Sequence, residues 1–327
     1  MFKYILNKKN LSSLYYLAYL IFIIILVDIF VFHGLLGFGY PRHYEQENIQ
    51  RFPKPYVEFT GKPNVENHNE YGFRGDSFNK AKANDLKIAF FGGSTGYAGD
   101  PPIAKIIEKE LTRLLGKNVF VANYSVVSSN HRQHLHAIIE FLPEFKPDII
   151  IFYGGYNETI QSGYYDPRPG YPYNFFYRAE TKPFLKLLLE NSALIGEIDK
   201  KTGYFTGLAK LRSEEKPFLP AWNNRIVSKY FETLLLAKKT SQVLESKVYN
   251  HTKFFAFYQP FQLPDNFIVA HNEIKRKIKK SDYIFDVSSE YESLGKQVYL
   301  DIVHVNQNAN EVMGKRIAYL ISAKIRY

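Results

Sequence analysis

Ser94 closes a short apolar run in "KIAFFGGSTGYAGD", residues 87–100. A serine on a sharp glycine turn is exposed, and the N–H groups that open the next helix point toward any anion there. An ordinary Ser/Gly turn has the same local pattern. A serine nucleophile needs a base to take its proton and a carboxylate to orient that base. Of the nine histidines, His304 has that company, because "YLDIVHVNQNANEV" puts Asp301 three residues before it. That spacing is about one turn, so both side chains can enter one cleft. Asp301 can then hold one ring nitrogen of His304 and leave the other for Ser94. Charge developing on a carbonyl oxygen also needs donors. "IIIFYGGYNE" supplies the Asn157 amide, and "NYSVVSSNHRQHL" can supply a backbone N–H.

These residues are far apart in the chain, so a scaffold must gather them. From residue 87 the pattern alternates. "KIAFF", "NVFVAN", "PDIIIFYGG", "KFFAFYQP" and "YIFDVS" are continuously apolar and predict strands. "PPIAKIIEKELTRLLG", "RQHLHAIIEFLPEF" and the closing "NANEVMGKRIAYLISAKI" predict helices. Such alternation predicts a parallel sheet covered on both faces, with ligands bound beyond the carboxyl ends of its strands. Ser94 and Asn157 follow the first and third strands at that edge. Residues 159–250 break the rhythm with an aromatic, proline-rich run at 164–177 and a long helical stretch, "NRIVSKYFETLLLAKKTSQVLESKV". They read as an insertion that packs on the core and overhangs the active edge.

A Gly-Gly-Ser-Thr turn, then Gly-x-Asn-Glu, then Asp-x-x-His before the last helix resembles the SGNH (GDSL-type) hydrolases over about residues 87–324. The resemblance implies a three-layer α/β/α sandwich on a mostly parallel, flavodoxin-like sheet. It implies Ser94 as nucleophile, His304 as general base and Asp301 as its orienter. It also implies an oxyanion hole from the N–H groups of Ser94 and Ser128 and the amide of Asn157. No cofactor or metal is implied. The sequence departs from the family at Gly93, where the family has Asp, and at Ser128, where it has Gly. Gly155 and Glu158 are read as supporting residues around Asn157.

Other readings compete. "GGSTG" fits the nucleophile elbow of α/β-hydrolases, but there the acid stands well before the histidine and the elbow follows several strands. His131, His134 and His136 cluster as metal ligands do, yet no carboxylate stands at helical spacing, so a polar helix face is the simpler reading; His131 can line the cleft. "FRGDSF" holds Gly75, Asp76 and Ser77 but follows no strand. "EIKRKIKKSD" is a solvated basic helix face, with Ile274 and Ile278 turned inward. The same triad can also pass an acyl group to a sugar, making an O-acyltransferase, and a scaffold with a relic site is the third class.

The chain has 327 residues, 46% of them apolar, and no cysteine, which excludes disulfides, thiolate metal sites and cysteine nucleophiles. Residues 14–32 carry one charge, Asp28, over about 28 Å of helix, and residues 35–36 extend the run. Lys3, Lys8 and Lys9 precede it, so the positive-inside rule expects a single-pass signal anchor, with the catalytic part outside the cytoplasmic membrane. Asp28, near the outer end, reads as a charge reaching the interface. Lys3, Lys8 and Lys9 against Asp28 make +2 of the net +10. The remaining positive charge suits an anionic envelope, and no motif points to nucleic acid. The expected organisation is 1–37 anchor, 38–86 juxtamembrane tether and 87–327 catalytic domain. The expected partners are an acyl ester, on a carbohydrate of the envelope, and the membrane through residues 14–36. Oligomeric state is not legible.

Overall fold

The apolar runs form a five-stranded, wholly parallel sheet in a computed structural model that describes residues 8–38, 49–50, 52–54, 56–161, 191–204, 220–248 and 252–325. The chain divides into two units, one of residues 48–174 and 214–327 and the other of residues 1–47 and 175–213.

The larger unit begins with a small antiparallel pair, β1 (Phe52–Lys54) and β2 (Glu58–Thr60). The sheet follows as β3 (Leu86–Gly92), β4 (Val119–Asn123), β5 (Ile149–Gly154), β6 (Lys253–Tyr258) and β7 (Ile284–Asp286). Its order is β4-β3-β5-β6-β7, the flavodoxin-like arrangement. Gly92 pairs with Tyr153, and Gly154 with Tyr258, so β3, β5 and β6 end level at one edge. Both faces of these strands are buried, which is why they read as unbroken apolar runs instead of alternating ones.

Helices cover both faces. On one, Ile88, Phe90, Ile151 and Phe257 pack against α3 (Ile103–Leu115) and α8 (Gln307–Ile325) through Ile107, Leu111, Met313 and Ile317. A four-residue helix, α2 (Ser94–Tyr97), precedes α3. On the other face, Phe91 and Phe152 meet α4 (His131–Phe145). Asn130 caps α4, accepting from the N–H of Arg132 and Gln133, while the Gln133 side chain accepts from Asn130 N.

Two segments add to the sequence expectation. The long helix α6 (Trp222–Val248), within the expected insertion, packs on α4, on α7 (Ile268–Ile278) and on the turn Asn157–Gln161 after β5. Ile226, Tyr230, Leu234 and Ala237 are buried along its inner face. Parallel β5 and β6 require a crossover, and α6 supplies it. The aromatic run at 164–177 lies outside the described residues. In the expected tether, Val57, Phe59, Phe73 and Phe78 are buried. Phe73 stacks edge-on against Tyr124 and Phe141 at 4.9 and 5.0 Å, so this stretch is part of the packed body.

The smaller unit holds α1 (Lys8–Val27), which continues as a π-helical turn over Asp28–Leu35, and α5 (Ala193–Thr202). Residues 12–35 form a helix of 24 residues long and apolar enough to cross a membrane.

Candidate active site

After Gly92 the chain turns at Gly93 and Ser94 opens α2. Leading N–H groups of a helix have no intrahelical acceptor, which leaves the Ser94 N–H in position to donate. Gly93 is forced by its surroundings: a Cβ there would lie 2.5 Å from Asn157 Nδ2 and 3.2 Å from Ser129 O. A side chain before this serine would therefore have to displace the Asn157 amide. Thr95 Oγ1, one residue on, donates to Gln259 Oε1 at 2.8 Å, tying the turn to the end of β6.

The second loop brings Ser128 and Ser129. Ser128 has φ +69°, the left-handed conformation that glycine adopts most easily. The backbone shape that the missing glycine would allow is therefore kept. Ser129 O accepts from Asn157 Nδ2 at 2.6 Å. A carboxamide has two N–H donors, so one remains after this bond. Ser94, Gly93, Ser129, Tyr156, Asn157 and Val303 line one small pocket of about 220 Å³.

Behind that pocket lies a buried polar chain. Ser129 Oγ donates to Val126 O and meets His134 Nε2 at 2.8 Å. His134 Nδ1 lies 3.3 Å from His131 Nδ1. Glu158 accepts from His131 N and Gly155 N, both at 2.6 Å. Gly155 turns there at φ +142°, and a Cβ would strike the Tyr258 ring at 2.7 Å. Burial lowers both histidines to about 3, so they stay neutral. Burial raises Glu158, against the pull of its backbone donors. His131 is 1% exposed and belongs to this inner chain, not to the cleft wall that sequence reasoning suggested. Among the described residues, no group of three His, Asp or Glu side chains is placed to hold a metal.

The third part is a tight loop before α8. Asp301 Oδ1 accepts from Val303 N and His304 N at 2.8 and 2.7 Å, and its Oδ2 lies 2.6 Å from His304 Nδ1. Burial pushes the Asp301 carboxyl up, but these three hydrogen bonds outweigh it and hold the carboxyl below its usual range. With Nδ1 fixed by the carboxylate, Nε2 is the nitrogen left to accept a proton. Val303 lines the same pocket as Ser94; His304 is not among its lining residues, and no hydrogen bond joins Ser94 to His304. Gln307, at the start of α8, accepts from Asp100 N and donates to Pro101 O, tying this loop to the segment after Ser94.

Nothing in the sequence pointed to Ser129, Gln259 or Gln307, and the polar-face reading of His134 is corrected: it is buried, 3% exposed. Ser129, Gln259 and Gln307 act through contacts with residues far away in the chain, and their types and neighbours look like ordinary loop and helix residues.

No protein-family model matches the chain, and no curated protein matches it either. Among solved structures, the chain resembles an acetyl xylan esterase, AlAXEase, at 8% identity, covering 72% of this chain and all of that one, with a TM-score of 0.43. It resembles the acetylxylan esterase Axe2 from Geobacillus stearothermophilus at 14% identity, over 72% and 93% of the two chains, with a TM-score of 0.41. LAE5, an alpha/beta hydrolase enzyme from the metagenome of Lake Arreo, Spain, matches at 13% identity over 76% and 98%, with a TM-score of 0.43. Likeness at this level gives neither activity nor substrate.

Proposed function

We propose that the chain is a membrane-anchored serine esterase of the SGNH type, with Ser94, His304 and Asp301 as its triad. The carrying observation is that Ser94 and Asn157 share one pocket with Val303, the neighbour of the Asp301–His304 pair. In the mechanism, His304 Nε2 takes the Ser94 Oγ proton as Oγ attacks an ester carbonyl. The oxyanion is held by the N–H groups of Ser94 and Ser128 and the second N–H of Asn157. Protonated His304 then gives its proton to the leaving alcohol, and an acyl-Ser94 ester remains. Water, deprotonated by His304, attacks that ester, and Ser94 leaves with the proton as a carboxylic acid is released.

Anchoring by residues 12–35, with Lys3, Lys8 and Lys9 on the inner side, supports an O-acylated envelope carbohydrate as the substrate. The test is hydrolysis of p-nitrophenyl acetate by the detergent-solubilised chain and by Ser94→Ala and His304→Ala. Each single change is expected to cost about 10⁴-fold or more, with the double variant no worse than either. Full activity of Ser94→Ala would overturn the proposal. Acyl transfer to added sugar, exceeding hydrolysis, would convert it to a transferase.

A further inference from the structure

Asp28 is the exception in its helix. It is 7% exposed, while its apolar neighbours Ile24 and Phe30 are 58% and 68% exposed. Its carboxylate accepts three hydrogen bonds from one place. Oδ1 takes Ser192 Oγ at 2.9 Å and Leu194 N at 3.0 Å, and Oδ2 takes Ala193 N at 2.8 Å. Ser192 Oγ in turn accepts from Ile195 N at 3.1 Å. The opening N–H groups of α5, which no helix can satisfy internally, are thereby answered. Ala193 and Gly196 are buried, and α5 packs along the π-helical turn Asp28–Leu35.

We propose that α5 is a re-entrant helix, with its first turn lying in the acyl-chain region of the outer leaflet and Asp28 holding its N-terminus there. This rests on reading residues 12–35 as a membrane span. Asp28 precedes Leu35, the end of that span, by seven residues, which is about 10 Å of helix. At that depth no water is present, so a helix may not begin with unanswered N–H groups, and a carboxylate may not stand alone. Each fault cancels the other. On an aqueous surface the Ser192 cap alone would serve.

The order of residues along α5 fits the same geometry. Ala193, Leu194 and Ile195 make the first turn, and Glu197, paired with Lys201 at 3.4 Å, Asp199, Lys200 and Lys201 follow. The apolar turn therefore begins at the level of Asp28, and the charged turn emerges where headgroups lie. Lysines at the C-terminal end also suit the helix dipole and an anionic surface. The exposed apolar side chain of this helix, Ile198, faces lipid in this arrangement.

The chain has no cysteine, so single-cysteine probes need no background removal. The full chain would be reconstituted in phosphatidylcholine vesicles with an environment-sensitive fluorophore on Leu20→Cys or Ile198→Cys. Both probes are expected to show blue-shifted emission and quenching by spin-labelled acyl chains. If Leu20 is quenched and Ile198 is not, re-entry is overturned while the span stands. If neither is quenched, the span reading falls and the inference with it. Adding Asp28→Ala to the Ile198 probe is expected to abolish its quenching, and Asp28→Asn to restore part of it. Unchanged fluorescence of Trp222, the sole tryptophan, would show that the larger unit remains folded. Retained quenching at Ile198 in Asp28→Ala would overturn the role given to Asp28.

Discussion

The proposed oxyanion donor Asn157 depends on one short bond. Asn157 Nδ2 is aimed by Ser129 O at 2.6 Å, so the amide cannot swing away from the pocket. Removing one such donor typically lowers kcat by about 10²–10³. Asn157→Ala is expected to behave so in p-nitrophenyl acetate hydrolysis, with KM little changed, because the donor acts on charge that exists only in the transition state. An unchanged kcat would remove Asn157 from the site. Gly93 belongs to the same contact. Gly93→Asp, which restores the residue type expected before the serine, must displace Asn157 Nδ2 from 2.5 Å away. It is expected to lose activity about as much as Asn157→Ala does, and wild-type activity in that variant would show that the turn can yield.

At the scale of elements, the strand ends are where the proposed site gathers. Gly155 holds the turn after β5 at φ +142° against the Tyr258 ring. Gly155→Ala is expected to lower the urea midpoint and the activity together, since strain of this kind costs about 1–3 kcal/mol. Ser128→Gly, at φ +69°, is expected to keep both. Equal behaviour of the two variants would mean that backbone shape at these turns is not decisive. These elements also show what a sequence can carry. The strands and α3, α4 and α8 were legible because burial imposes unbroken apolar runs and helical stripes. The placing of Ser94 and Asn157 at strand ends, and the contact of Asp301 with His304, were legible because each follows a recognisable element at a short spacing. The role of α6 was not, since a helix in a crossover has the same stripe as a helix in an insertion. Phe73 and Phe78 were missed because aromatic packing without periodicity looks like loop. The contact of Asp28 with α5 spans 165 positions from Ala193, and no local pattern encodes it.

For the whole molecule, the buried histidines make stability depend on pH. His131 and His134 fall to about 3 in the folded state, from 6.5 in the unfolded chain, because burial penalises their charged form. Burial also lowers His68, His136 and His271. Between pH 6.5 and about 3 the unfolded chain therefore binds protons that the folded chain does not. Stability rises with pH wherever the unfolded state binds more protons. The contribution of these groups is thus fully present above 6.5 and is lost as pH falls toward 3. Glu158, raised by burial, has the opposite sign above its unfolded value of 4.5, and a single carboxyl opposes several histidines. Urea unfolding followed at Trp222 is expected to give a lower midpoint at pH 5 than at pH 7.5. His134→Gln keeps a hydrogen-bonding group toward Ser129 Oγ but removes one titrating ring. Its midpoint is expected to fall less over the same interval. Wild type and His134→Gln falling equally would mean that His134 takes up its proton without unfolding, and the buried chain behind the pocket would then be open to water at pH 5.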